Sequence, residues 1–161
     1  MTSKDIYNRL RSKYGRYSIA NIYYYRWESD IIVITESDYI WEIEIKISRS
    51  DFFADYKKKT PVFRKSGDFF VPVQTISKHE AIEKKLVKIP NRFYFATPGG
   101  LVDKSELPEH AGLIEIISGG IYETKKAPLL HREKEINYEK LFQVMYYRHN
   151  QLYIDNKHNQ I

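Results

Sequence analysis

The sequence predicts an α/β layer arrangement, on three features. An apolar, β-branched run, Ile31-Ile32-Val33-Ile34-Thr35, precedes the strictly alternating Trp41-Glu42-Ile43-Glu44-Ile45-Lys46-Ile47, and together they read as a strand hairpin. Helical spacing recurs near both ends of the chain, at Ile6 and Leu10 and again at Tyr138, Leu141, Phe142 and Met145. Strand-like segments at 92 to 98, 112 to 118 and 120 to 124 lie between.

Taken in order, residues 3 to 13 form a first helix, with Ser3 as N-cap and Gly15 as its stop. A strand runs from about 30 to 35, Glu36-Ser37-Asp38 makes a tight connection, and 39 to 48 is the second strand of the hairpin. Ser48 or Ser50 caps a helix that continues to Lys58, with Asp51 in its first turn, where negative charge suits the helix dipole. Residues 60 to 77, rich in Phe, Lys and Pro, read as irregular, and 78 to 88 as a short helix. RFYFATP is a buried strand ended by Pro98-Gly99-Gly100, a strand pair surrounds Gly119-Gly120, and 133 to 150 is a closing helix. All of this fits one domain over residues 1 to 161, with a core at about 3 to 124 and a basic insertion at about 59 to 90.

Composition narrows the class. Cysteine is absent, which rules out disulfides and thiolate metal sites and suits a cytoplasmic protein. The polar, basic start MTSKDIYNRLRSKYG has no apolar core, and no apolar run approaches membrane length, so neither a signal peptide nor a membrane span is expected. A net charge of +5 favours polyanionic partners. The five histidines (79, 110, 131, 149, 158) have no zinc spacing, and none is read as a ligand. Tyr23-Tyr24-Tyr25 reads as packing.

The chemistry concentrates on the alternating strand. Ile43, Ile45 and Ile47 face one way, and Glu42, Glu44 and Lys46 the other. Alternation alone equally fits an antiparallel strand with one wet face. Asp30, at the head of the preceding strand, adds a second carboxylate, but only in one register. A two-residue turn pairing Glu36 with Tyr39 sets Asp30 against Ile45, on the wrong face, whereas a three-residue turn or a bulge brings it to Glu44 and Lys46. The reading requires the latter. Two carboxylates on one face repel unless a cation compensates, and Mg²⁺ accepts two carboxylates, a backbone carbonyl and waters. Asp30, Glu44 and the Ile45 carbonyl supply that set, with Lys46 beside it to orient water or stabilise transition-state charge.

Glu28-Ser29-Asp30, then Trp41 to Ile47 continuing through Ser48-Arg49-Ser50-Asp51-Phe52 to Asp55 and Lys57, resemble the core of the PD-(D/E)XK nuclease superfamily, and within it the MmcB-related DNA-repair nucleases. A second block, RFYFATP followed by Leu107-Pro108 and Ala111-Gly112-Leu113-Ile114, resembles the same family. The resemblance implies a restriction-endonuclease-like αβββαβ core with a central mixed sheet flanked by helices. It also implies a divalent metal, Mg²⁺ with Mn²⁺ as a substitute, and hydrolysis of DNA phosphodiester bonds, as an endonuclease acting in repair, recombination or processing. Asp30 and Glu44 then correspond to metal ligands and Lys46 to the catalytic lysine. Two departures stand out. The stretch from 59 to 90 is longer than the family pattern, and the first helix lacks a Glu, for which Asp5 or Glu28 is the substitute ligand.

Candidate DNA contacts are Lys57, Lys58, Lys59, Arg64 and Lys65, with Ser48, Arg49, Lys78 and His79 as further members. Ser48 serves equally as a helix cap, Asp55 as a partner of Lys58 or Lys59, and Glu42 as a solvated residue one pleat from Glu44. The rival reading is a nuclease-like module that grips DNA or another protein without cutting. Oligomeric state, monomer or homodimer, is left open.

Overall fold

The structure, a computed structural model, describes residues 1–134 and 136–158, with side-chain surroundings described except at 16 and 152–158. Six strands form one mixed sheet: β1 (Ser18–Ile22), β2 (Ser29–Ile34), β3 (Ile40–Ile45), β6 (Arg92–Pro98), β7 (Ala111–Ile117) and β8 (Gly120–Lys125), in the order β1-β2-β3-β6-β7-β8. β2 runs antiparallel to both β1 and β3; β3, β6 and β7 run parallel, and β8 turns back on β7. Within the parallel centre, β6 and β7 read as near-continuous apolar sequence because both of their faces are covered, whereas β3 alternates.

Helix α1 (Ser3–Tyr14) covers one face, with Ile6 and Leu10 packed on Ile31, Ile43, Tyr94 and Ile114. Its cap is Thr2, not Ser3: Thr2 accepts from the Asp5 N–H at 3.2 Å while the Asp5 carboxylate accepts from the Thr2 N–H at 2.8 Å. The opposite face carries α2 (Arg49–Asp55), α3 (Lys78–Glu83) and the start of α4 (Tyr138–His158), with Phe52, Ile82 and Leu141 packed on Ile32, Phe93 and Phe95.

Several elements differ from expectation. β1 is absent from the sequence reading, because SIANI lacks the bulk and alternation of a strand and pairs through backbone with β2. Residues 59 to 77, read as irregular, form the antiparallel ribbon β4 (Lys59–Ser66) and β5 (Phe69–Ser77), turning at Gly67 with φ +60°. Pro61 and Pro72 are tolerated because this two-stranded ribbon has only edges. α2 ends at Asp55 rather than Lys58, α3 at Glu83 rather than 88, and α4 starts at Tyr138 rather than 133. Residue 135, within the expected helix, and the side chain of His158 lie outside the described residues.

The β2–β3 turn fixes the register. Thr35 donates to the Tyr39 carbonyl at 2.9 Å across a three-residue loop, and Asp38 sits at φ +62°. A left-handed third residue is what a three-residue hairpin loop needs, and Asp tolerates it. Ile31 therefore pairs with Ile43 and Ile32 with Glu42, and one further step sets Asp30 level with Glu44.

Candidate functional site

The face of β3 bearing Glu42, Glu44 and Lys46 lies under α2 and α3 and is buried. Charged groups at such positions persist only when neutralised by one another. Glu44 Oε2 meets Lys46 Nζ at 3.1 Å and Lys58 Nζ at 2.9 Å, and its Oε1 meets Lys78 Nζ at 2.7 Å. Asp55, at the end of α2, takes Lys46 at 2.8 Å and Lys58 at 2.8 Å on Oδ1, and His79 Nε2 at 3.0 Å on Oδ2. His79 Nδ1 in turn lies 2.9 Å from His110 Nε2. The row Lys46–Asp55–His79–His110 thus runs from the strand into the helical layer.

Glu42 is fully buried, where a solvated residue was expected. Its Oε1 accepts from the Trp27 indole at 2.7 Å and from Lys78 at 2.8 Å, while Oε2 has no partner among the described atoms. Lys78 and His79, expected to contact DNA, are also buried and committed to these carboxylates, so neither presents a face to a ligand. The Lys78 ammonium also lies over the Trp27 and Phe93 rings. Sequence reading missed this cluster because its members are brought together from positions 27, 42, 55, 78 and 110. Only the SRSDFFADYKK pattern hinted at Asp55.

Asp30 stands at the cluster's open side. Its Oδ2 accepts from the Ile45 N–H at 2.8 Å, and among the described residues no hydrogen bond reaches Oδ1. A cavity of about 480 Å³ opens there, lined by Asp30, Ile45, Lys46 and Lys58 together with Tyr7 of α1 and Asp51 of α2. An extended residue turns its N–H and C=O to the same edge, so the Ile45 carbonyl faces the Asp30 side.

The electrostatics follow from this arrangement. Burial, then the nearby Glu44 charge, pushes the Asp30 carboxyl up to about 6 against the pull of the Ile45 N–H, Lys46 and Lys58. Glu42 is pushed up to about 7, chiefly by burial. Burial also opposes ionisation of Glu44 and Asp55, but the lysines, and for Asp55 the His79 hydrogen bond, outweigh it and hold both below the usual carboxylate range. Burial and the neighbouring cations hold His110 down at about 4, and hence neutral. Four carboxylates (Asp30, Glu42, Glu44, Asp55) therefore face three ammoniums (Lys46, Lys58, Lys78), and the imbalance falls on the two that are pushed up, Glu42 in the core and Asp30 beside the cavity.

Among the described residues no group of three or more His, Asp or Glu side chains is arranged to hold a metal. Asp30 and Ile45 line the cavity, and Glu44, level with Asp30 but buried behind its lysines, is the next oxygen donor; carboxylate and carbonyl oxygens of this kind suit a hard cation. Lys58, with 41% of its side chain exposed, lies on Glu44 as a removable positive charge. The set therefore fits a divalent ion in oxygen chemistry and charge, with Lys58 as its competitor.

The other expected residues lie elsewhere. Glu28 lines a separate groove with Tyr147 and Arg148 of α4, and Asp5 is used in the cap of α1, so neither replaces the missing helix carboxylate. Ser48 caps α2 by accepting from the Asp51 N–H at 3.1 Å, and Asp51 accepts from the Ile47 N–H at 3.2 Å. Arg49 forks onto Glu106 and the Leu101 carbonyl, away from the cavity. Lys57, Lys59, Arg64 and Lys65 are exposed. Tyr24 and Tyr25 are buried as packing residues, whereas Tyr23 is exposed. No helix among the described residues is long and apolar enough to cross a membrane.

No family model matches the chain, and no curated protein matches it by sequence. A solved structure, a protein of unknown function from Silicibacter pomeroyi, is similar over 93% of this chain and 86% of its own, with 21% identity and a TM-score of 0.57. At that identity the likeness concerns the fold, a mixed sheet flanked by helices.

Proposed function

We propose that the protein is a Mg²⁺-dependent nuclease of PD-(D/E)XK type that hydrolyses DNA phosphodiester bonds. The observation that carries this reading is the three-residue turn, whose register brings Asp30 level with Glu44, with Asp30 and Lys46 lining one cavity and Glu44 buried against Lys46. The element order α1-β1-β2-β3-α2, with β6 returning parallel beside β3, is also the order the sequence resemblance implies.

Asp30, Glu44 and the Ile45 carbonyl would hold the ion. When bound, Mg²⁺ or Mn²⁺ supplies charge neutralisation at a phosphate and acidifies water. The chain's own residues do the rest. Lys46, fixed between Glu44 and Asp55 and lining the cavity, stabilises negative charge developing on the phosphate and orients the attacking water. His79, donating from Nε2 to Asp55, holds that carboxylate so that Asp55 in turn fixes Lys46. The exposed Lys57 and Lys59, neighbours in sequence of the cavity-lining Lys58, draw in the DNA backbone.

A second reading, a nuclease-like module that binds DNA without cutting, draws on the three lysines that already occupy both oxygens of Glu44. Incubating plasmid and single-stranded DNA with the protein, with and without Mg²⁺ or Mn²⁺, separates the two. Nuclease action predicts metal-dependent cleavage that Lys46→Ala and Asp30→Asn abolish. DNA retained but uncut under all conditions leaves the binding module, and cleavage surviving both substitutions overturns the assigned roles.

A further inference from the structure

We infer that the β4–β5 ribbon is a nucleic-acid arm whose Phe69–Phe70 tip wedges into an unstacked step, directing the site toward DNA with bulged or unpaired bases. The inference rests on the nuclease reading and adds its substrate class. The ribbon extends about 27 Å for eight paired residues. Its root is fixed: Thr60 and Val62 are buried, Arg26 lies 4.3 Å from the centre of the Phe63 ring, and the Lys78 N–H donates to the Lys58 carbonyl at 2.8 Å. Its tip is bare. Phe69 is 75% exposed and Phe70 66%, with Val71 and Val73 following them.

Charge identifies the occupant. Between 57 and 77 the chain carries five basic residues (Lys57, Lys58, Lys59, Arg64, Lys65) against one acid, Asp68, so this segment holds +4 of the chain's +5. Successive strand residues point to opposite faces, so one tip ring emerges on each side of the ribbon. The register sets Lys65 across from Phe70 and Arg64 across from Val71, placing a cation level with each of these two, while Phe69 at the turn lies across from Ser66. Rings flanked by phosphate-seeking cations suit insertion between bases with the backbone gripped on either side. A two-stranded ribbon also matches the width of a DNA major groove. A bilayer would instead favour rings gathered on one side with the cations set back. Because the root adjoins Lys58, which lines the cavity, DNA held by the arm passes the site. Opening a step that is already unpaired costs least, hence the preference.

The test uses the full-length protein, a fluorescein-labelled 30-base-pair duplex, and the same duplex carrying a two-nucleotide bulge flanked by 2-aminopurine. Wild type is expected to prefer the bulged duplex and to raise 2-aminopurine fluorescence. Phe69→Ser/Phe70→Ser, at exposed positions, should melt like wild type, bind the bulge about ten-fold more weakly or worse, and lose the fluorescence rise. Arg64→Gln/Lys65→Gln should weaken both duplexes and lower the salt slope by about two. Unchanged bulge binding by the double-Phe variant overturns the inference. So does loss in that variant of binding to phosphatidylserine vesicles, or of a dimer in sedimentation, while DNA binding persists. Wild-type cleavage with an indifferent arm variant removes the arm and leaves the nuclease; arm-dependent binding without cleavage does the reverse.

Discussion

Replacing Asp30 with asparagine is expected to stabilise the protein while removing the proposed nuclease activity. Burial and Glu44 raise the Asp30 carboxyl from 3.8 to about 6. A group that holds its proton more tightly in the folded state than in the unfolded chain resists ionisation on folding. Its burden is therefore absent below about pH 4, grows as pH rises through about 6, and is complete above that. At about 1.4 kcal/mol per pH unit the full burden is about 3 kcal/mol. Asparagine keeps the side chain's shape and its acceptor for the Ile45 N–H, and discards the surplus charge. Urea unfolding at pH 8 without metal should therefore show Asp30→Asn more stable by up to about 3 kcal/mol, shrinking to about 1 kcal/mol at pH 4.5. Millimolar Mg²⁺ should narrow the gap at pH 8 by stabilising wild type alone. Equal stability of the two proteins at pH 8, or a less stable variant, would refute the reasoning, because Asp30 would then already be compensated within the protein.

Other perturbations test the cluster and its frame. Lys78→Met strips Glu42 of its ammonium partner and Glu44 of one of three, and should cost about 3–5 kcal/mol in urea unfolding; a loss below about 1 kcal/mol would mean that Glu42 finds another partner. Gly112→Ala would put a Cβ 2.5 Å from both the Tyr94 ring and the Ala127 backbone nitrogen. The overpacking should cost about 1–3 kcal/mol, read as a lowered urea midpoint with unchanged slope. Lys58→Ala removes one of the two ammoniums on Glu44 Oε2 and should tighten Mn²⁺ binding by about ten-fold, or about 1.4 kcal/mol, in a calorimetric titration. Weaker binding in that variant would show that Lys58 does not compete with the ion.

What could be read from the sequence was what depends on neighbouring residues. The alternation of WEIEIKI defined β3 and its two faces, Ser48 was legible as a cap, and the condition that unites Asp30 with Glu44 followed from counting across the turn. The wetness of that face was misread. Whether Glu42 meets water or Lys78 depends on α3 folding over the strand from 36 residues away, and no local pattern encodes that. The ribbon was hidden by its two prolines and by the weak Ser66-Gly67-Asp68 turn, although Val62 to Val73 carry strand-forming residues on both sides of it. β1 was invisible because its pairing is a backbone property of five modest residues. Lys78 and His79 looked like surface cations for the same reason that Glu42 looked solvated: charge predicts exposure except where opposite charges are folded together.

The account depends on Asp30 and Glu44 holding one hard cation between them. Electron paramagnetic resonance of free Mn²⁺, titrated into the protein at pH 7.5, measures this directly. Wild type should remove one Mn²⁺ per chain from solution, Asp30→Asn should remove none, and Glu42→Gln, on the same strand as Glu44 but level with Ile32 rather than Asp30, should match wild type. Mn²⁺ uptake unchanged by Asp30→Asn, or absent from wild type at millimolar ion, would contradict the account.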